Sequence, residues 1–127
     1  MTVEENKAFI RSYLAAISGQ DKTPSVLDPF IAESDEELKQ HLITMDASFP
    51  RYELIPEDML AEGDKVMVRL TGRLTAKDDF MGLPATGKHA NVPAMVVYRI
   101  ENGKIAQHWL LVDSMSMMQQ LGAPSAA

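Results

Sequence analysis

The sequence predicts an α+β domain in which N-terminal helices pack on one face of an antiparallel sheet. Three observations carry that prediction. Two acidic capping boxes open stretches of helical apolar period before residue 50. After Arg51 the apolar residues change to alternation, in runs separated by turn residues. The last two runs flank Glu101-Asn102-Gly103-Lys104, a tight-turn sequence.

The first box is Thr2-Val3-Glu4-Glu5, and Val3, Phe9, Ile10, Tyr13, Leu14 and Ile17 follow at helical spacing. A helix from about Val3 to Ile17 is expected, stopped by Ser18-Gly19. Pro24 and Pro29 break the segment from Asp21 to Ala32, which leaves room for one short helix. Ser34-Asp35-Glu36-Glu37 is the second box. Leu38, Leu42, Ile43 and Met45 then form one face of a helix that ends before Pro50.

Tyr52 to Ala61 reads as a strand, Glu62-Gly63-Asp64 as a turn, and Lys65 to Thr75 as a second strand. In the latter Val66, Val68 and Leu70 alternate with Lys65, Met67 and Arg69. Residues 77–88 form a loop rich in Gly and Pro that carries Phe80, Met81 and Leu83. An apolar loop of this kind suits a lid or pocket rim. Ala90 to Ile100 and Lys104 to Val112 make a hairpin, and a short amphipathic helix follows, with Ser114 as a cap and Gly122 as its C-cap glycine. Residues 1–122 are expected to form a single domain, with 123–127 as a loose tail.

Composition narrows the function. The 127 residues, 46% hydrophobic and 24% charged, are those of an ordinary globular protein. A net charge of -6 without a Lys/Arg cluster argues against nucleic acid and anionic membranes as partners. No apolar run approaches the ~20 residues of a membrane span, and the acidic, polar start MTVEENKAF is unlike a signal peptide, so a cytoplasmic location is expected. The absence of cysteine removes disulfides and thiolate chemistry. Three scattered histidines without HxH or HExxH spacing give no metal site.

The strand from Lys104 carries the only tryptophan, Trp109, and closes on a lone acid, Asp113. A buried unpaired acid is costly. Asp113 must therefore reach solvent, cap the helix behind it, or work chemically in a pocket. Trp109 shares its parity, so an unbulged strand puts both on one face, where the indole would serve as core or pocket wall. His108 has the opposite parity and reads as a dimer-face or satisfied core histidine. His89 stands at a strand start beside the expected rim. His41 lies in a helix beside Leu38 and Leu42 and is assigned no role.

The hairpin leaves two registers open. A two-residue type I′ turn at Asn102-Gly103 places Tyr98 and Val96 on the face of Asp113. A type I turn with Gly103 as a G1 bulge places Arg99, Val97 and Met95 there instead. Arg99 beside the acid would hold its pKa down and could bind an enolate oxygen. Met115, Met117 and Met118 of the last helix read as plastic core, a dimer contact, or an adaptable wall for a flat apolar ligand.

Together these residues resemble the SnoaL-like polyketide (ester) cyclase family of nuclear-transport-factor-2-like folds. The resemblance runs from Phe49-Pro50 through Glu62-Gly63-Asp64-Lys65-Val66 and Phe80 to Lys88. It continues through Tyr98 to Ile105 and His108-Trp109 to Asp113 and Gln120-Leu121-Gly122. It implies a cone-shaped curved antiparallel sheet wrapped around N-terminal helices, a short C-terminal helix, one deep pocket and a homodimer. It also implies ring closure by intramolecular aldol chemistry without metal or organic cofactor, with Asp113 as acid/base. Apolar walls would raise such an acid's pKa above its ordinary ~3.9. The family's polar pocket positions match Val97 and Arg99, which favours the bulged register. Two family features are absent: a histidine ahead of the second long helix, where this chain reads Ile31-Ala32-Glu33-Ser34, and a Thr-Gly-Thr-His run, where it reads Thr71-Gly72-Arg73-Leu74.

The expectation is thus a cyclase or isomerase acting through an enolate on an apolar, polyketide-like carbonyl compound. Asp113 would be catalytic, with Trp109, Arg99, Val97, Met95, Phe80, Met81, Leu83 and His89 around the substrate. The rivals are a non-catalytic ligand-binding or dimerisation module on the same fold, and a ketosteroid-isomerase- or epoxide-hydrolase-like activity. The last needs a second pocket acid or a Tyr–Asp pair, for which Tyr98 is the nearby candidate.

Overall fold

The first helix of the computed structural model, which describes residues 2–77 and 87–122, begins where its capping box begins. In α1 (Val3–Ile17) the Thr2 hydroxyl accepts from the Glu5 N–H and the Glu5 carboxylate accepts from the Thr2 N–H. Ile10, Tyr13, Leu14 and Ile17 are its buried stripe. The expected short helix is a single turn, α2 (Pro24–Leu27), and it starts on Pro24, which reads in the sequence as a breaker. A 3₁₀ turn over Glu33–Asp35 leads into α3 (Glu36–Ser48).

The cap of α3 lies one residue later than its box suggested. Asp35, not Ser34, accepts from the Leu38 N–H at 3.2 Å. Ser34 is drawn away because its hydroxyl donates to the Ala106 carbonyl at 2.9 Å. The preceding chain is fastened beside the sheet: Ala32 N–H donates to Ile105 O and Ile105 N–H to Phe30 O, with Ile31 bridging Ile105 in parallel.

The four strands β1 (Glu53–Glu62), β2 (Lys65–Thr75), β3 (His89–Glu101) and β4 (Lys104–Val112) form an antiparallel meander in the order β1-β2-β3-β4. Their inner face is apolar: Val66, Val68, Leu70 and Leu74 on β2, then Ala90, Val92, Val96, Tyr98 and Ile100 on β3. It packs against α1 and the segment around Leu27 and Ile31 in one core. At the α3–β1 junction Lys22 is fully buried. Its ammonium donates to the carbonyls of Gln20 and Tyr52, both at 2.9 Å, lies 3.6 Å from Asp46, and sits 4.0 Å above the Tyr52 ring.

The β3–β4 hairpin decides what faces inward, and it does so by neither register considered above. Asn102 and Gly103 both have positive φ, 53° and 74°, as a two-residue type I′ turn requires. The pairing nevertheless shifts further along, from Ile100↔Ile105 to Arg99↔Gln107, so that Ala106 is the extra residue of a bulge. Inward parity therefore passes from Ile105 to His108, Leu110 and Val112. Trp109 pairs with Val97 and Leu111 with Met95, on the outer face.

The short C-terminal helix α4 (Ser114–Gln120) returns over the sheet. The Gln120 amide pairs with both backbone groups of Asn91, at 2.7 and 2.8 Å, while Met117 and Leu121 are buried beneath it. Curved sheet, N-terminal helices and closing helix make an α+β cone. Phe80, Met81, Leu83 and the expected tail lie outside the described residues.

Candidate active site

The space between α1, α3, α4 and the inner sheet face is a cavity of about 70 Å³, room for roughly five waters. Leu70, Val96, Leu110 and Met117 are among its walls, and Gly72 leaves part of it open by having no side chain. Its polar side chains are His41 and all three tyrosines of the chain: Tyr13 from α1, Tyr52 ahead of β1 and Tyr98 from β3. Their hydroxyls are neutral donors across the ordinary pH range, since burial pushes the pKa of each upward.

His41 stands on the cavity side of α3 because it shares a helical face with Leu38, Leu42 and Met45. Burial lowers its pKa from 6.5, nearby His108 lowers it further, and Glu37 opposes both. At neutral pH it is therefore an uncharged imidazole, able to accept a proton.

Beside the cavity is a second polar arrangement. His108 Nδ1 lies 2.7 and 3.0 Å from the two carboxylate oxygens of Asp35, with both side chains nearly buried. A carboxylate there requires the proton on Nδ1, which fixes the tautomer. The Ala106 bulge turns His108 inward, and the fastening of Ile31 along β4 delivers Asp35 to it. The expectation of a satisfied histidine describes His108 well, although its partner was not foreseen.

The expected site residues fall elsewhere. Asp113 is exposed; its carboxylate accepts from the Ser116 N–H at 3.0 Å, which makes it the N-cap of α4 in place of Ser114. It is not among the residues lining the cavity. Trp109 is 45% exposed on the outer face and is not among the residues lining this cavity. Arg99, Val97 and Met95 share that outer face with Trp109, so the bulged grouping is present but on the side away from the cavity. Arg99 is held by Glu101 at 2.9 Å and by Gln107 at 3.3 Å. His89 is exposed and bonded to the Thr75 hydroxyl at 2.8 Å. Sequence reasoning passed over His41, although its spacing from Leu38, Leu42 and Met45 was a usable signal. Tyr13 was read only as part of an apolar stripe. Among the described residues no cluster of His, Asp and Glu is arranged to hold a metal ion.

Comparison with known proteins places this architecture. The SnoaL-like polyketide cyclase family model matches residues 20–121. Similar solved structures include TsrD from Streptomyces laurentii, 24% identical with a TM-score of 0.83 over 98% of this chain and 99% of that one. AclR from Streptomyces galilaeus, described as a candidate hydroxylase, is 21% identical with a TM-score of 0.85 over 99% and 86%. A SnoaL-like polyketide cyclase from Agrobacterium tumefaciens is 22% identical with a TM-score of 0.77 over 96% and 100%. Comparison with curated proteins returned no significant match. With the family model covering most of its length, the chain belongs to the SnoaL-like polyketide cyclases.

Proposed function

We propose that this protein is a cofactor-independent cyclase or isomerase that handles an apolar, polyketide-like carbonyl compound through its enolate inside the cone cavity, with His41 as the proton-transfer group. The observation that carries the reading is the His41 imidazole among the walls of an otherwise apolar cavity that three tyrosines also line, with burial lowering its pKa. Neutral His41 would take a proton from the carbon beside a carbonyl. In a cyclisation the resulting carbanion attacks a second carbonyl of the same molecule, and the alkoxide recovers the proton from the imidazolium. In an isomerisation the proton returns to another carbon. Positioned proton transfer of this kind contributes roughly 10²–10⁴-fold. Asp113 is the rival base, and the geometry favours His41 because Asp113 is exposed and occupied as a helix cap.

Fold alone does not choose the chemistry, since a scaffold of this shape hosts several activities. The test is α-proton exchange of small cyclic ketones in deuterated water, followed by NMR. His41→Gln should abolish the protein-dependent exchange, while Asp113→Asn, which keeps an oxygen for the Ser116 N–H, should retain it. The reverse result would move the base to Asp113. No exchange in any form would favour the binding-module reading, which the small, strongly apolar cavity also suits.

We further propose that the outer sheet face pairs with a second copy of the chain. Leu111, Leu60, Met95 and Trp109 are 79, 63, 46 and 45% exposed there, an apolar group of the kind that marks an interface. Two of the neighbouring cations are already paired, Arg69 with Asp58 and Arg99 with Glu101, which lowers the cost of covering them in a twofold contact. Leu111→Glu should turn a dimer into a monomer in sedimentation velocity. A wild-type monomer throughout the micromolar range would remove the idea.

A further inference from the structure

We propose that the free edge of β4 pairs antiparallel with the same edge of a second copy of the chain, joining the two sheets into one. This rests on the reading that the chain associates with itself and names the backbone that joins the copies.

β4 is an outer strand of the sheet, and the described chain covers its free edge only at the start. There Ile105 bonds to Phe30 and Ala32, and the Ser34 hydroxyl donates to the Ala106 carbonyl. Beyond the bulge, the phase of the ladder decides which backbone groups face outward. The Asp113 N–H donates to the Pro93 carbonyl on β3, so Asp113 belongs to a bonded pair. Alternation along the regular run then gives Leu111, Trp109 and Gln107 to β3. It turns the N–H and C=O of His108, Leu110 and Val112 to the free edge. Among the described residues no backbone group answers them there, and only the Ser114 hydroxyl approaches, 3.5 Å from the Val112 carbonyl. Such a row is a template for another strand.

Nothing on this edge repels a partner. From Gln107 to Val112 there is no Asp, Glu, Lys or Arg, and His108 is held by Asp35. The opposite edge, β1, is blunted by Pro56, by the irregularity between Pro56 and Asp58, and by Glu53, Glu57, Asp58 and Glu62. The outward groups also select the occupant. They lie symmetrically about Leu110, so an antiparallel copy sets Leu110 against Leu110 and His108 against Val112, and every outward N–H and C=O is answered. In that register Trp109 of each copy lies opposite Leu111 of the other on the outer face. Both side chains are exposed in the single chain, and together they make an apolar cross-strand pair. Asp113 comes opposite Gln107, so no like charges meet.

The test is amide hydrogen exchange of the wild type by NMR at high and low concentration, with sedimentation velocity reporting the oligomer. The expected result is a dimer in which the His108, Leu110 and Val112 amides exchange at least ~10-fold more slowly than after dilution. Those of Trp109 and Leu111, already bonded to β3, should change little. Val112→Pro removes one outward N–H without taking a bond from the chain itself. It should weaken the dimer roughly 10–100-fold, with circular dichroism confirming the fold. Undiminished dimerisation of the folded variant would overturn the proposal, and the exchange pattern decides it should the variant not fold. A dimer whose three outward amides exchange freely would overturn the edge contact and leave the face contact standing. Slow exchange at those amides in a monomer would mean that the chain covers its own edge, and would overturn it too. A wild type that stays monomeric removes both contacts.

Discussion

Replacing Asp35 by alanine removes two interactions that the fold places on one carboxylate. The first is the cap of α3, where Asp35 accepts from the Leu38 N–H. Loss of such a cap costs about 0.5–2 kcal/mol. The second is the acceptor for His108 Nδ1, 2.7 Å away, in surroundings where the imidazole is only 10% exposed. Leaving that donor buried and unpaired costs about 1–3 kcal/mol. Because the two share one side chain, about 2–4 kcal/mol is expected for Asp35→Ala. Asp35→Asn keeps a single oxygen, which at the Oδ1 position lies 3.2 Å from the Leu38 nitrogen and 3.0 Å from His108 Nδ1, and should lose less, about 1 kcal/mol. The assay is urea unfolding followed by far-ultraviolet circular dichroism, with His108→Gln and the double variant completing a cycle. A coupling of about 1–2 kcal/mol between positions 35 and 108 is predicted. If Asp35→Ala costs less than about 0.5 kcal/mol, or the coupling is indistinguishable from zero, the Asp35–His108 pair is not a stabilising contact and the account of the α3–β4 junction is wrong.

Three other perturbations probe different parts of the molecule. His41 has a folded pKa below 6.5, so the unfolded chain binds more protons; its contribution to stability is complete above pH 6.5 and is lost as pH falls through the folded value. His41→Gln should flatten that part of the stability–pH curve, and an unchanged slope would contradict the burial of the imidazole. Gly72→Val should block small-ligand binding while leaving the fold intact. A Cβ there meets the Val92 carbonyl oxygen at an ordinary 3.8 Å, and the valine suits a strand. Retained binding would mean that ligands sit elsewhere. Lys22→Met strips donors from the Gln20 and Tyr52 carbonyls and the cation from Asp46, and should cost about 2 kcal/mol in chemical denaturation. A neutral result would make the buried ammonium dispensable.

Much of the fold is legible along the chain because its signals are local. Thr2 and Glu5 sit within one helical turn, and the alternation of Val66, Val68 and Leu70 depends only on the pleat of β2. Asn102-Gly103 likewise marks where the chain turns, although the choice between a type I′ turn and a G1 bulge stayed open and the bulge was favoured. The inner face of β4 was harder to read. Ala106 carries no mark of a bulge, since neither glycine nor a positive φ is involved, yet it reverses the parity of everything after it. That one residue separates Trp109 from the cavity and brings His108 inward. The Asp35–His108 pair spans 73 positions in sequence and exists only because the Ile31 segment runs alongside β4. Asp113 shows the opposite case. Its capping role was among the readings open from sequence, and solvent exposure at the strand end resolves the cost of an acid there. Tyr13 was concealed by its ring, which fits the apolar stripe so well that the hydroxyl at its tip draws no notice.

The central claim is that ligands enter the inner cavity and not the outer sheet face, and the methionines test it most directly. Met45 and Met117 line the cavity, while Met95 on the outer face and Met115 on α4 are 46 and 72% exposed. With the methionine methyl groups labelled with carbon-13, titration with cyclohexenone should shift Met45 and Met117 together and saturate, leaving Met95 and Met115 where they began. Movement of Met95 or Met115 with Met45 and Met117 still would place the ligand outside the cone and contradict the account.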